Sequence, residues 1–442
     1  MWLLPVLSPL ARAAAFVYYR MTYAGDAVPP SGPVLLVANH PNTLLDPVLV
    51  VAASRRPVRF LAKAPLFESR RTAWAVRAAG AIPVYRQQDR GTQMGRNTSA
   101  FRAVYDVLAA GGAVGIFPEG TSHNAPAIAP LKTGAARIAL GAVTQTGAPF
   151  PIVPVGIVMR EKDIFGSEAL VVCGASVAWA DLALRGGGDA DAVRLLTTRI
   201  ADALRSVTVN LDAWEDRPLV ECAVHVWEAE QGQPSSPAER VARLQVTTGI
   251  LAGVRARRDV DGARLAVDLE DHRRQLQRLG VAPSDLTTDL RLSRGVAWAA
   301  RRLHLLGPAQ VLVAVVGTLL FWPPYRLTGW IVGRLRLDLG ERSTAKLLVG
   351  IVTHLAWVIG LALAMGLRFG AWAALGAAVL APAIGVLGQM VRMHWGSTWD
   401  DARRFFILRS RRDMLQTLRE QQHQLSVRLG AIYQASVAAV AD

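Results

Sequence analysis

The chain has 442 residues, 52% of them hydrophobic and 19% charged, with a mean hydropathy of +0.26 and a formal net charge of +15. That size accommodates two or three domains, and the composition excludes a disulfide-stapled miniprotein and a disordered or fibrous chain. The surplus of positive charge narrows the partners to nucleic acid or an anionic membrane surface. Residues 291–442 hold 18 Lys and Arg against 7 Asp and Glu, together with all the long apolar runs. No zinc-finger, helix-turn-helix or aromatic stacking pattern accompanies these basic residues, so they read as membrane flanks and not as a nucleic-acid surface. Cys173 and Cys222 are the only thiols and fit no metal or disulfide spacing, which points to a reducing compartment.

Residues 1–25 open with an apolar stretch interrupted by Pro5, Pro9 and Arg12. A transmembrane helix needs about 20 apolar residues without such breaks, so the segment is expected to be an interfacial anchor or a helix packed on the next domain. Residues 26–215 alternate short β-branched runs with helical stretches. Val34–Ala38, Val58–Leu61, Ala81–Val84, Val114–Phe117, Ile152–Val158 and Leu170–Cys173 read as buried strands. Val48–Ser54, Pro65–Ala79, Ser99–Ala110, Leu131–Thr144 and Ala190–Val207 read as helices. This alternation predicts an α/β domain with a mixed or parallel sheet and flanking helices, its active residues where strands run out into loops. Gly186–Gly188 lacks the Lys-Ser/Thr of a phosphate-binding loop and reads as a turn.

Residues 216–303 are polar and helical, with Ser236 and Glu239 spaced as a capping box. Residues 304–395 carry the membrane candidates. Leu347–Leu367 and Phe369–Val391 are long enough to span and close enough to form a hairpin. The basic residues on either side of Pro323-Pro324 suggest that residues 304–335 form a re-entrant hairpin turning at the prolines, with both flanks cytoplasmic. Residues 396–442 close the chain as an expected amphipathic basic helix on anionic lipid.

The stretch Asn39-His40-Pro41-Asn42-Thr43-Leu44-Leu45-Asp46 carries the chemistry: a strand ends at a His, and a carboxylate follows six positions later. A neutral imidazole with one nitrogen held by a carboxylate is a general base of suitable strength at neutral pH. The competing reading makes Asp46, before Pro47, a helix N-cap. Further on, Arg86 closes the Gly80–Arg86 stretch, Phe117-Pro118-Glu119-Gly120 places a carboxylate at another strand end, and Ile152–Gly156 is a third such strand.

These four blocks, in this order within Asn39–Gly156, resemble the glycerolipid acyltransferase family, which includes glycerol-3-phosphate and 1-acylglycerol-3-phosphate acyltransferases. The resemblance implies His40 as general base, Asp46 as its orienting partner and Arg86 as the holder of the acceptor phosphate. It implies that Glu119 and Gly120 help to bind the acceptor's glycerol phosphate, although Glu119 also suits bonding its own turn. Two departures matter. Five residues separate His40 from Asp46 where the family commonly has four, and Ser122-His123-Asn124 stands where the family commonly has an Arg. Both features, with Pro130-Leu131-Lys132, resemble the fungal glycerol-3-phosphate/dihydroxyacetone-phosphate acyltransferase branch. They add Lys63 and Lys132 as candidate phosphate contacts, with Lys132 expected at a helix start; a solvated Lys is the alternative.

The resulting expectation is a membrane-associated O-acyltransferase with its catalytic domain on the cytoplasmic face. It would move a fatty acyl group from acyl-CoA or acyl carrier protein to glycerol-3-phosphate or 1-acyl-glycerol-3-phosphate, with no metal and no bound cofactor. The alternatives are a lysophospholipid remodelling transacylase and a non-catalytic lipid-binding membrane protein on the same fold. A transporter would need more spans than the two or three visible.

Overall fold

The computed structural model describes the chain except for residues 1–8, 10, 11, 14, 17, 71, 86–96, 160, 163, 233–234, 288–307, 336, 338, 411 and 442. It divides into two compact units: Met1–Arg217 with Ser235–Gly249 and Leu339–Ser343, and Pro218–Pro234 with Ile250–Asp338 and Thr344–Asp442.

The first unit is built on a seven-stranded sheet of β1 (Arg20–Gly25), β2 (Val34–Ala38), β3 (Val58–Lys63), β4 (Ile82–Val84), β5 (Ala113–Ile116), β6 (Ile152–Met159) and β7 (Glu168–Cys173), in the spatial order β1-β7-β6-β2-β5-β3-β4. Every pairing is parallel except β6 with β7. The apolar run Val34–Ala38 is buried along its whole length because β2 is central and covered on both faces. Helices α1 (Leu45–Ser54), α2 (Pro65–Glu68), α3 (Ala73–Ala78), α4 (Asn97–Ala109), α5 (Gly134–Thr146) and α6 (Ala190–Arg205) supply the crossovers and flanks. Ile138, Leu140, Leu196 and Ile200 fill the core against Leu35, Val37, Val114 and Ile152.

Three sequence-level assignments change here. Arg20–Gly25 belongs to the sheet and not to an anchor: it pairs residue for residue with Glu168–Cys173, although five of its six residues are polar, glycine or alanine. Ahead of it, Ala15, Tyr18 and Tyr19 are buried, so this part of the segment packs on the domain. The expected single helix Pro65–Ala79 is two short helices, because the backbone turns away through an extended Ser69. Lys132 lies two residues ahead of α5 and not at its first turn.

The second unit is helical. Within it, α7 (Arg217–Gln231) contributes Cys222, Ala223 and Val226 to a cluster with Leu265 and Leu269 of α9 (Val260–Leu279) and Leu425 and Leu429 of α14 (Arg412–Ala441). Leu276, Val281 and Leu286, the last from α10 (Pro283–Leu286), pack on Leu415 and Leu418 of α14. Gln422 donates to Glu230 Oε1 at 3.1 Å and Arg428 to Asp268 Oδ2 at 2.6 Å. The residues 396–442 expected as one lipid-facing helix are thus divided: α13 (Ala371–Ser410) runs to Ser410, and α14 turns its apolar stripe to protein. Leu415, Leu418, Leu425 and Leu429 recur at helical spacing and meet a matching stripe on α9. Helix α8 (Pro237–Arg257), whose residues to Gly249 belong to the first unit, opens with the expected reciprocal cap of Ser236 and Glu239.

Among the described residues, three helices are long and apolar enough to cross a membrane, in Gln310–Arg334, Arg342–Phe369 and Ala371–Arg392. The re-entrant turn expected at Pro323-Pro324 is absent, since α11 (Pro308–Arg334) continues through both prolines. Pro324 has no N–H, which orphans the carbonyl of Leu320 one turn earlier. The indole N–H of Trp357, on α12 (Leu339–Phe369), donates to that carbonyl at 3.0 Å and removes the penalty. Gly317 and Gly388 bring α11 and α13 into close contact: a Cβ on Gly317 would stand 2.7 Å from the Ile384 carbonyl oxygen. Leu348, Ile351, Leu355, Ile359, Leu363 and Leu367 remain exposed along α12, a surface that suits lipid. Arg334 lies 4.0 Å over Trp330 and Arg368 5.4 Å over Phe369, pairs typical of helix ends at a membrane interface.

Candidate active site

The carboxyl ends of β2, β5 and β6 lie side by side, and the loops leaving them build the site. Immediately after β2, Asn39 imitates a further strand residue. Its side-chain oxygen accepts from the Ile157 N–H at 2.7 Å and its amide donates to the Ile157 carbonyl at 3.0 Å. The next residue is His40.

The His40 ring is fixed at one edge and one face. Its Nδ1 lies 2.7 Å from Asp46 Oδ2, and its face stacks on Phe117 with centroids 4.1 Å apart, Phe117 in turn stacking on Phe60. Since a carboxylate only accepts, Nδ1 carries the proton and Nε2 the lone pair. Nε2 has no hydrogen-bond partner among the described residues, and 17% of the side chain is exposed. Asp46 is fully buried, and its Oδ2 also accepts from the Asn42 N–H at 2.6 Å. Burial pushes its carboxyl above the usual range, while the His40 hydrogen bond works in the opposite direction. Asp46 sits inside the first turn of α1 and not at the N-cap, which is Leu44. Its carboxylate serves the His40 loop.

Glu119 clamps that loop. Its Oε1 accepts from the His40 N–H and its Oε2 from the Ala129 N–H, both at 2.7 Å, while Oε2 also pairs with His123 Nε2. The His123 N–H returns to the His40 carbonyl at 3.2 Å. The Glu119 side chain is only 1% exposed, so its carboxylate faces these donors within the protein. Gly120 is required for shape: its φ is +81°, and a Cβ there would stand 2.9 Å from Lys132 Cε. Lys132 therefore lays its stem across the turn with an exposed head, and Lys63 is exposed at the end of β3. Arg86 lies outside the described residues.

Three contributors were not singled out from sequence. Tyr19 donates to the Lys162 carbonyl at 2.5 Å and receives the Asn42 amide at 2.9 Å; burial pushes its phenol well above the usual range. Asn42 joins that network to Asp46. Lys162, beyond the Ile152–Gly156 block, has no local motif and enters only because β6 neighbours β2. Phe117, by contrast, was visible as the residue before Pro118-Glu119. Among the described residues no group of His, Cys, Asp and Glu is arranged to hold a metal ion.

The sheet thus presents a His–carboxylate pair at its strand ends, with a carboxylate-clamped turn beside it. The protein-family model described as Acyltransferase matches residues 20–158. Glycerol-3-phosphate O-acyltransferase 2 of Saccharomyces cerevisiae is 30% identical over 145 residues, covering 32% of this chain and 20% of its own length. A 1-acyl-sn-glycerol-3-phosphate acyltransferase of Chlamydomonas reinhardtii is 29% identical over 167 residues, covering 37% of this chain and 48% of its own. The chain thus spans a fifth to a half of the length of these relatives. The crystal structure of the 1-acyl-sn-glycerophosphate acyltransferase of Thermotoga maritima aligns with 19% identity and a TM-score of 0.34, over 47% of this chain and 78% of that one. Residues 20–158 thus resemble acyltransferases, and the curated relatives that share this stretch are glycerol-3-phosphate and 1-acylglycerol-3-phosphate acyltransferases.

Proposed function

We propose that the protein is a membrane-associated O-acyltransferase that moves a fatty acyl group from a thioester, on coenzyme A or acyl carrier protein, to glycerol-3-phosphate or its 1-acyl derivative. The observation that carries this reading is the His40–Asp46 pair at 2.7 Å with Nε2 open. His40 Nε2 takes the proton of the acceptor hydroxyl as its oxygen attacks the thioester carbonyl. Asp46 stabilises the imidazolium. The tetrahedral oxyanion collapses, expelling the thiolate, which takes up the proton. No acyl-enzyme is required: both cysteines are buried, and no hydroxyl among the described residues bonds His40 Nε2. Arg86, two residues beyond β4, keeps its sequence-level assignment to the acceptor phosphate, where a guanidinium fork fits the oxygens. A purely lipid-binding role leaves a buried carboxylate oriented on an imidazole with nothing to do.

The membrane reading follows from chain topology within the second unit. Helices α9 and α14 share a core but flank α11, α12 and α13 in sequence. A chain that leaves and rejoins one core on one side of a membrane crosses it an even number of times, and this supports two crossings. Helices α12 and α13, joined by a turn at Gly370, are the pair we assign. The catalytic domain and the basic C-terminal end lie on the cytoplasmic side, where acyl thioesters are held.

The test is an acceptor panel with the purified full chain and labelled acyl-CoA, comparing glycerol-3-phosphate, lysophosphatidate and other lysophospholipids. His40→Ala is expected to lower turnover about 10²–10⁴-fold. Turnover close to wild type in that variant overturns the mechanism, and activity confined to zwitterionic lysophospholipids replaces biosynthetic acylation with remodelling.

A further inference from the structure

Lys162 follows β6 by three residues, on the edge where His40 opens. Three side chains converge on its carbonyl oxygen: Tyr19 at 2.5 Å, Ser343 at 2.7 Å and Asn42 at 3.3 Å. Asn42 is the residue whose N–H holds Asp46, so the Lys162 backbone is tied directly to the dyad. Such anchoring of a loop residue fixes where its side chain starts.

The ammonium is placed with equal care. Lys162 Nζ donates to Asn124 Oδ1 at 2.7 Å and lies 5.4 Å from the centre of the Trp214 indole. That indole is held by its N–H on the Asn124 carbonyl at 2.7 Å. The Arg217 guanidinium lies over the same ring at 5.9 Å and donates to the Met159 carbonyl at 2.9 Å. Two cations thus share one aromatic platform at the carboxyl end of β6.

No carboxylate among the described residues lies within ion-pair distance of Lys162 Nζ. Asp46 and Glu119 act on it only through space, being committed to His40 and His123. Partial burial and the Arg217 charge both weigh against its protonated form. An ammonium held beside a second cation, with a neutral amide as its contact, gains most when an anion arrives.

We propose that Lys162, with Asn124 and Arg217 around Trp214, forms a phosphate subsite of the His40 centre that binds a phosphate group carried by one of the two substrates. This deepens the acyl-transfer reading and rests on it for the substrates' identity, but not for binding of phosphate itself.

The test uses the full chain in detergent, as wild type, Lys162→Met and Lys162→Arg, each first shown to retain its melting temperature. Inorganic phosphate is titrated by calorimetry, a measurement that needs no turnover. Wild type is expected to bind, Lys162→Met to bind at least about tenfold more weakly, the loss of one charge-assisted hydrogen bond, and Lys162→Arg to recover most of the affinity. Turnover then identifies the source. A rise in KM for glycerol-3-phosphate with no change for acyl-CoA assigns the subsite to the acceptor. A rise for acyl-CoA but not for acyl-pantetheine, which lacks the nucleotide phosphates, assigns it to the donor. The subsite is refuted if wild type does not bind phosphate, if Lys162→Met binds as tightly as wild type, or if Lys162→Met lowers the melting temperature or kcat with both KM values unchanged. If phosphate binding depends on Lys162 but no acceptor is acylated, the subsite stands and the acyltransferase reading fails.

Discussion

Glu119→Gln separates a clamp from a substrate ligand. Three donors face the carboxylate: the His40 N–H on Oε1, and the Ala129 N–H and His123 Nε2–H on Oε2. The His123 assignment follows from its other nitrogen, since Nδ1 accepts from the Ala125 N–H at 3.1 Å and leaves the proton on Nε2. A glutamine has one oxygen and one donating nitrogen. Turned to serve Ala129 and His123, it points its NH2 at the His40 N–H, leaving a buried donor unsatisfied at about 1–3 kcal/mol. Two charge-assisted bonds also become neutral, at about 0.5–1 kcal/mol each. The sum is about 2–5 kcal/mol, or a fall of about 5–15 °C in the melting temperature of a domain this size. Because the orphaned donor belongs to His40 itself, kcat falls as well, while the acceptor KM moves less than about twofold. Thermal melts followed by circular dichroism and steady-state kinetics over acceptor concentration read both quantities. An unchanged melting temperature with a raised acceptor KM refutes the clamp and returns Glu119 to the substrate.

Three further outcomes follow from the same geometry. Asp46→Asn abolishes activity but raises stability at pH 7 relative to pH 4: burial lifts the folded carboxyl above its unfolded value, so the wild type loses stability as pH rises from about 4 through the folded value, and the neutral amide does not; a stability difference that shrinks on going from pH 4 to pH 7 contradicts this. Burial pushes the Cys173 thiol up to about 11 and the Cys222 thiol up to about 12, so neither reacts with Ellman's reagent at pH 8 in the folded protein and both react in denaturant; rapid reaction of a native thiol rejects the packing described. The same inertness lets cysteines introduced at Arg336, Arg368 and Arg409 report topology without background: only position 368 should react with an impermeant reagent from outside, and labelling at 336 or 409 rejects the two-span assignment.

The short apolar runs between Val34 and Cys173 announced six of the seven strands, because a strand covered on both faces must be continuously apolar. His40, Asp46 and the Phe117–Gly120 turn were visible as well, since each stands at the end of such a run and the spacing survives without coordinates. Strand β1 was not visible: its sequence, Arg-Met-Thr-Tyr-Ala-Gly, is an edge pattern whose pairing with β7 lies far along the chain. The direction of the Glu119 carboxylate, inward to two backbone N–H groups and not outward to substrate, is likewise a tertiary fact, as its partners come from residues 40 and 129. Lys162 carries no motif, and only the neighbouring of β6 and β2 brings it to the dyad. Pro323-Pro324 read as a break, and locally it is one; the helix continues because Trp357, 33 residues beyond Pro324, satisfies the carbonyl that the second proline orphans. Local composition determined which segments are strand, helix or membrane candidate, because burial pattern and backbone chemistry act over a few residues. Which hydrogen-bonding groups meet across the chain depends on strand order and helix contact, and that was decided only by the fold.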